Sequence, residues 1–116
     1  MSQNNPIITW EDFNKIDLRV GTIVQAEVFP EAKKAAFILY VDLGKEIGIC
    51  KSSAQITDLY TVDSLLGKQV VCVTNFPTKQ IGPMRSEVLV TGFPDKDGKI
   101  VLCTSDKIVE NGVKLL

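Results

Sequence analysis

A chain of 116 residues has the length of one compact domain and is too short for two. Its composition, 45% apolar and 23% charged, excludes a disordered polymer, and no apolar run approaches the roughly 20 residues of a membrane-spanning helix. Thirteen basic against fourteen acidic side chains leave a net charge of −1, so any grip on a polyanion must come from a local patch.

The first ten residues lack the basic start and apolar stretch of a secretory leader. Trp10 and Phe13 then stand three apart, as on one face of a short helix, with Thr9 as N-cap and Asp12 in the capping-box position. From Leu18 the period changes to two. Leu18, Val20, Thr22, Val24, Ala26 and Val28 share one face, which predicts a long half-buried strand over 18–28. Gly21 inside it marks a bulge or sharp bend.

Residues 29–34 read as a loop broken by Pro30. A second strand over 36–43 places Phe37, Leu39, Val41 and Leu43 on one face. Gly44-Lys45 is a tight turn, and 46–51 is the returning strand of a hairpin. Residues 52–60, with polar starters and Ile56, Leu59 and Tyr60, suit a short helix, followed by a partial turn at 63–66. Residues 68–74 form a fourth strand. Residues 75–85, with two prolines and Gly82, form a long loop. Residues 86–92 are a fifth strand, and a polar turn at 95–98 leads to a last one at 100–103.

Three strands, a short helix and two more strands match the five-stranded Greek-key OB barrel, an all-β fold with N- and C-terminal extensions. A β-sandwich is the rival, and the helix at that place in the order favours the barrel. One domain is expected over 1–116, its barrel core near 17–92. Such barrels bind ligands on the face of strands two and three, between the loops joining strands one to two and four to five.

No histidine is present, which removes the commonest general base and the commonest zinc ligand. Cys50, Cys72 and Cys103 show no metal spacing and sit in strand-like segments, as small hydrophobes of the reducing cytosol. No phosphate-cradling glycine motif occurs. The expectation is a binding module that is not an enzyme and carries no cofactor or metal.

Charge places the expected site. Lys33 and Lys34 lie in the first loop, Lys51 at the end of the third strand, and Lys79 and Arg85 in the second loop, whose 75–85 span holds no acidic residue. Together they form a salt-sensitive grip on phosphates. Phe37, Tyr40 and Phe76 are candidates to stack on unpaired bases. Phe37 shares parity with Leu39 and Val41 and reads as core; Tyr40 has the opposite parity. Arg19 beside Asp17 reads as an ion pair.

Asp17-Leu-Arg-Val-Gly-Thr-Ile23, Lys51-Ser-Ser-Ala-Gln-Ile-Thr57, Asn75-Phe-Pro-Thr-Lys-Gln-Ile-Gly-Pro83 and Ser86-Glu-Val-Leu-Val90 together resemble the CsaA family. Its members are stand-alone relatives of the tRNA-binding domain at the C-terminus of bacterial methionyl-tRNA synthetase. The resemblance runs from about Trp10 to the C-terminus. It implies an OB barrel, a homodimer, binding of tRNA by shape and backbone, and a role as an export-related chaperone for unfolded preproteins. It adds Ser52, Ser53, Asn75 and Ser86 to the RNA-binding set, and Ile38, Tyr40, Phe76, Ile81 and Met84 as a stacking or peptide-binding set. The chain departs from the family pattern at Ile38, where a basic residue is usual, and at Met84-Arg85, where Phe-Met is usual. Apolar flanking residues Trp10, Phe13, Ile100, Val101, Leu102, Val113, Leu115 and Leu116 exceed what one small barrel covers, which points to the dimer interface.

Overall fold

A computed structural model of the chain describes residues 5–116. Residues 1–4, part of the segment read for a leader, lie outside the described residues. Helix α1 (Trp10–Asn14) has the expected capping box complete: Thr9 Oγ1 accepts from Asp12 N at 3.1 Å, and Thr9 N donates to Asp12 Oδ2 at 3.2 Å. Trp10 and Phe13 meet edge to face, 6.3 Å between ring centroids.

Strand β1 (Leu18–Val28) is long enough to have two partners. Its residues 18–22 pair with β4 (Gln69–Val73) and its residues 22–28 with β2 (Phe37–Asp42), both antiparallel. The register against β2 slips between Ile23 and Gln25, so Val24 is a bulge. This corrects the expected face. Gly21 and Ile23 point inward on one parity before the bulge and Ala26 on the other after it, because one extra residue inverts the side-chain parity, and Val24 at the bulge is exposed; Val28, at the strand end, is exposed too. Gly21 is a close approach rather than the bulge. A Cβ there would lie 2.5 Å from Val41 Cγ1 and 2.8 Å from both Asp42 O and Leu43 Cδ2.

Strand β2 alternates as expected, with Phe37, Leu39 and Val41 buried. The connection to β3 (Ile49–Ala54) is wider than a two-residue turn. Leu43 N donates to Gly48 O at 2.9 Å and Gly48 N to Gly44 O at 2.7 Å, both glycines at positive φ. Strand β3 takes the first residues of the segment read as a helix. Ser52 and Ala54 are small enough to face the barrel interior opposite β2, and the pairing with β2 overrides their local preference. The helix is instead α2 (Val62–Leu65), capped by Thr61 and Ser64, with Leu65 fully buried as a plug at the barrel end.

The long loop expected at 75–85 is largely a hairpin, β5 (Lys79–Ile81) and β6 (Met84–Ser86), turning at Gly82-Pro83. The single strand expected at 86–92 is broken into the end of β6, β7 (Leu89–Val90) and the start of β8 (Gly92–Pro94), which pairs with β9 (Ile100–Leu102). The main sheet runs β3-β2-β1-β4-β7. It nearly closes where Glu87 N donates to Lys51 O at 2.8 Å and Ser53 N to Ser86 Oγ at 3.1 Å. The result is a five-strand antiparallel barrel of OB type.

Its core holds Ile23, Leu39, Val41, Leu43, Leu65, Val70 and Cys72, each at most 1% exposed. Burial pushes the Cys72 thiol up to about 12, with the neighbouring Cys50 adding to the rise, so Cys72 stays neutral and packs as a hydrophobe. The C-terminal segment then completes β1. Where β2 has left, Gly112 N donates to Val20 O at 2.7 Å and Leu115 N to Leu18 O at 2.8 Å. Buried Gln69 pins this segment, its amide making a matched pair with the Val109 peptide at 2.7 and 3.1 Å. Ile100 and Leu102 pack on the barrel core, so these two flanking residues are covered within the chain.

Substituting Gly21→Ala forces β1 away from β2 and is predicted to destabilise the fold by about 1–3 kcal/mol. A lower urea midpoint with an unchanged m-value is the expected reading.

Candidate nucleic-acid interface

The two loops expected to flank a groove are joined by a second, small apolar cluster. Phe29 and Ala36 from the first loop and Met84 from β6 are each at most 4% exposed, and Ala32, Ile38 and Ile81 pack around them. Burying a methionine or phenylalanine side chain contributes about 1.5–3 kcal/mol, so the hairpin is held against the first loop and does not swing free. At the hairpin tip, Gly82 adopts φ +55, and a Cβ there would come within 3.6 Å of Glu31 Cβ.

The hairpin base is clamped by polar contacts. Asp17 N donates to Asn75 Oδ1 at 3.0 Å, and Asn75 Nδ2 donates to Lys15 O at 2.6 Å. On the opposite side, Ser86 Oγ accepts from Ser53 N, and Glu87 Oε1 accepts from Lys51 N at 2.9 Å. Between hairpin and β3 opens a cleft of about 540 Å³, lined by Ser53, Gln55, Phe76, Lys79, Ile81, Ser86, Glu87 and Leu89 among others. Phe76 is 55% exposed within it.

Lys33, Lys34, Lys79 and Arg85 are exposed and Lys51 is half-buried. Arg85 is steadied by donating to Thr78 Oγ1 at 2.6 Å. Among the described residues the ion pairs are Lys15–Asp12, Arg19–Asp17 and Lys114–Asp17, and none engages these five cations.

Two expected contact residues are corrected. Ser52 is fully buried, its hydroxyl donating to Ser53 O at 3.3 Å, and Met84 is 4% exposed in the second cluster. Neither side chain is presented to a ligand, because both fall on the inward parity of their strands. Asn75 and Ser86 use their side chains as clamps. Ile38 is half-buried against the second cluster. Tyr40 points outward as its parity requires, pairs across the sheet with Lys51, and donates its hydroxyl to Glu27 Oε1 at 3.1 Å. Burial, then the hydrogen bond and charge of Glu27, hold its phenol above the ordinary range. Phe37 is core, 7% exposed. Gln55, Glu87 and Leu89 belong to the cleft and were not expected there. Gln55 is concealed by the helix reading of 52–60, and Glu87 falls two residues beyond the acid-free span 75–85.

Asp17 links the elements behind the site. Its carboxylate accepts from the Thr74 hydroxyl and from Arg19 Nε at 3.0 Å, with Lys114 Nζ at 3.9 Å; Arg19 also donates to Gly112 O at 2.9 Å. The expected Arg19–Asp17 pair is thus present, and it ties β1 to β4 and to the C-terminal segment. Burial pushes the Asp17 carboxyl up. The hydrogen bonds from Thr74 and Arg19 and the charges of Arg19 and Lys114 outweigh this and hold it below the ordinary value.

A nearly closed five-strand barrel with a cation-flanked cleft beside β3 is an OB-type binding module. Residues 18–114 match the family described as "Putative tRNA binding domain", and the chain belongs to that family. Within it the chain belongs with the CsaA proteins. It is 42% identical to the chaperone CsaA of Bacillus anthracis str. Ames, with a TM-score of 0.88 over 96% of this chain and all of that one. It is 46% identical to the CsaA chaperone protein of Picrophilus torridus, again with a TM-score of 0.88, over 95% of this chain and all of that one. It is also 34% identical, over 93% of its length, to methionine–tRNA ligase of Christiangramia forsetii, and spans about 15% of that enzyme.

A carboxyl whose folded pKa is depressed stabilises the fold above its unfolded value, near 3.9, and that contribution is lost as pH falls through the folded value. Asp17→Asn is therefore predicted to lower stability at pH 7 by roughly 1.5–3 kcal/mol. Its urea midpoint should then fall less steeply than the native one as pH drops below about 4.

Proposed function

We propose that the chain binds tRNA through shape and backbone contacts, without chemistry on it, and that Lys33, Lys34, Lys51, Lys79 and Arg85 meet phosphates. The observation that carries this reading is the set of five cations, none held by an ion pair among the described residues, spread over the first loop, β3 and the β5–β6 hairpin, with Lys79 lining the cleft and the loop and hairpin locked together. Cations already neutralised by carboxylates would release few counterions and gain little from a phosphate. Family membership supports tRNA as the polyanion. The reducing cytosol suits a tRNA partner and free cysteines at 50, 72 and 103.

Replacing Lys79→Ala and Arg85→Ala together is expected to weaken tRNA binding and to lower the slope of log K against log salt by about two, leaving the unfolding midpoint unchanged. A filter-binding titration at several salt concentrations reads both. Salt-independent affinity, or no binding at low salt, sinks the proposal.

A second reading, a chaperone for unfolded preproteins, draws on the names of the CsaA relatives and on the apolar part of the cleft at Phe76, Ile81 and Leu89. Suppression of client aggregation that competing tRNA leaves intact would favour it over RNA.

We also propose a homodimer. Val113, Leu115 and Leu116 on the C-terminal segment are 40%, 51% and 104% exposed, and Phe93 and Val101 stand paired and exposed on the β8–β9 hairpin. Apolar surface of this kind is most simply covered by a second copy. Light scattering is expected to give twice the monomer mass, and Leu115→Asp to halve it.

A further inference from the structure

The cleft between β3 and the β5–β6 hairpin is chemically uneven. Part of its lining is cationic and aromatic, with Lys79 on β5 and the exposed ring of Phe76. The same lining carries the carboxylate of half-buried Glu87 and the amide of exposed Gln55. A phosphate suits Lys79 and is repelled by Glu87. An apolar side chain suits Phe76, Ile81 and Leu89, and leaves Glu87 and Gln55 without partners.

A nucleobase satisfies both kinds of group. Its face stacks on an aromatic ring, its phosphate stays with the lysine, and its edge offers N–H donors to the carboxylate. Glu87 Oε1 already accepts from Lys51 N, which fixes the carboxylate in place and leaves Oε2 and the second lone pair of Oε1 to accept a ligand's protons. The volume of about 540 Å³ admits one base and its sugar. Guanine alone among the four bases offers two adjacent edge donors, N1–H and N2–H, that a carboxylate accepts together. The neighbouring O6 can then accept from the Gln55 amide. Such charge-assisted paired contacts are the strong ones.

We infer that this cleft is a pocket for a single unpaired guanine of RNA, stacked on Phe76 and read by Glu87 and Gln55. The inference rests on the phosphate-binding reading and deepens it: backbone contacts position the RNA, and one base contact adds selectivity where a loop or an end is unpaired.

The test uses the full chain and fluorescein-labelled oligouridylate octamers bearing one central guanine, inosine, adenine or uracil. The guanine octamer is expected to bind about tenfold tighter than the uracil one. Inosine, which lacks the N2 amino group, should lose most of that gain. Phe76→Ala is expected to weaken guanine binding about tenfold without altering the salt slope, and Phe76→Tyr to retain it. Glu87→Gln keeps an oxygen for Lys51 N and should shrink the ratio of guanine to uracil binding. Octamers that bind alike, with Phe76→Ala indistinguishable from native, overturn the pocket but leave salt-dependent tRNA binding standing. Absence of tRNA binding at low salt overturns both. If Phe76→Ala abolishes suppression of client aggregation while guanine binding persists, the cleft belongs to a peptide and the inference also fails.

Discussion

Strand β1 must hydrogen-bond β4 over its first half and β2 over its second, and the geometry of that shared strand governs the rest of the barrel. A flat strand cannot face two sheets. The bulge at Val24 supplies the turn, and the missing side chain at Gly21 lets β2 cross close to its backbone. Once β2 leaves, the edge of residues 18–20 is open, and the C-terminal segment closes it. The Asp17 carboxylate sits at that junction and joins β1 to β4 and, through Arg19 and Lys114, to the C-terminal segment. The same junction holds Asn75, so the base of the hairpin is positioned by the barrel's own closure.

A nearly neutral chain can present a cationic face because its charges are sorted by partner. Asp17 and Asp12 are occupied by Arg19, Lys114 and Lys15, and Glu27 accepts from Tyr40. The cations on the loops have no such partners among the described residues, so the sign of the surface there is set locally. At this range unscreened neighbours matter and the sum over the chain does not, since charges farther apart than about 8–10 Å are largely screened at physiological salt.

Much of the architecture was legible from periodicity and turn chemistry. The capping box at Thr9 and Asp12, the alternation of Phe37, Leu39 and Val41, and the outward parity of Tyr40 all follow from local rules. The misreadings share a cause. Counting by twos through Val24 fails because a bulge has no distinctive residue. Ser52 to Gln55 carry helix-like local signals that pairing with β2 overrides. The run 75–85 looked irregular because its strands are three residues each, too short to show alternation. The same short β6 hid Met84, whose inward position depends on cluster partners 48 and 55 residues earlier, Ala36 and Phe29.

The residues alone determined the fold class, the family and the identity of the loop cations, because alternation, capping and motif spacing are local properties of the chain. The tertiary structure decided which of those residues reach a ligand. It buried Ser52 and Met84, turned Asn75 and Ser86 into clamps, and brought Gln55 and Glu87 into the lining of the same cleft as Phe76. Those outcomes hinge on register and on contacts between segments far apart in sequence, which no local pattern encodes.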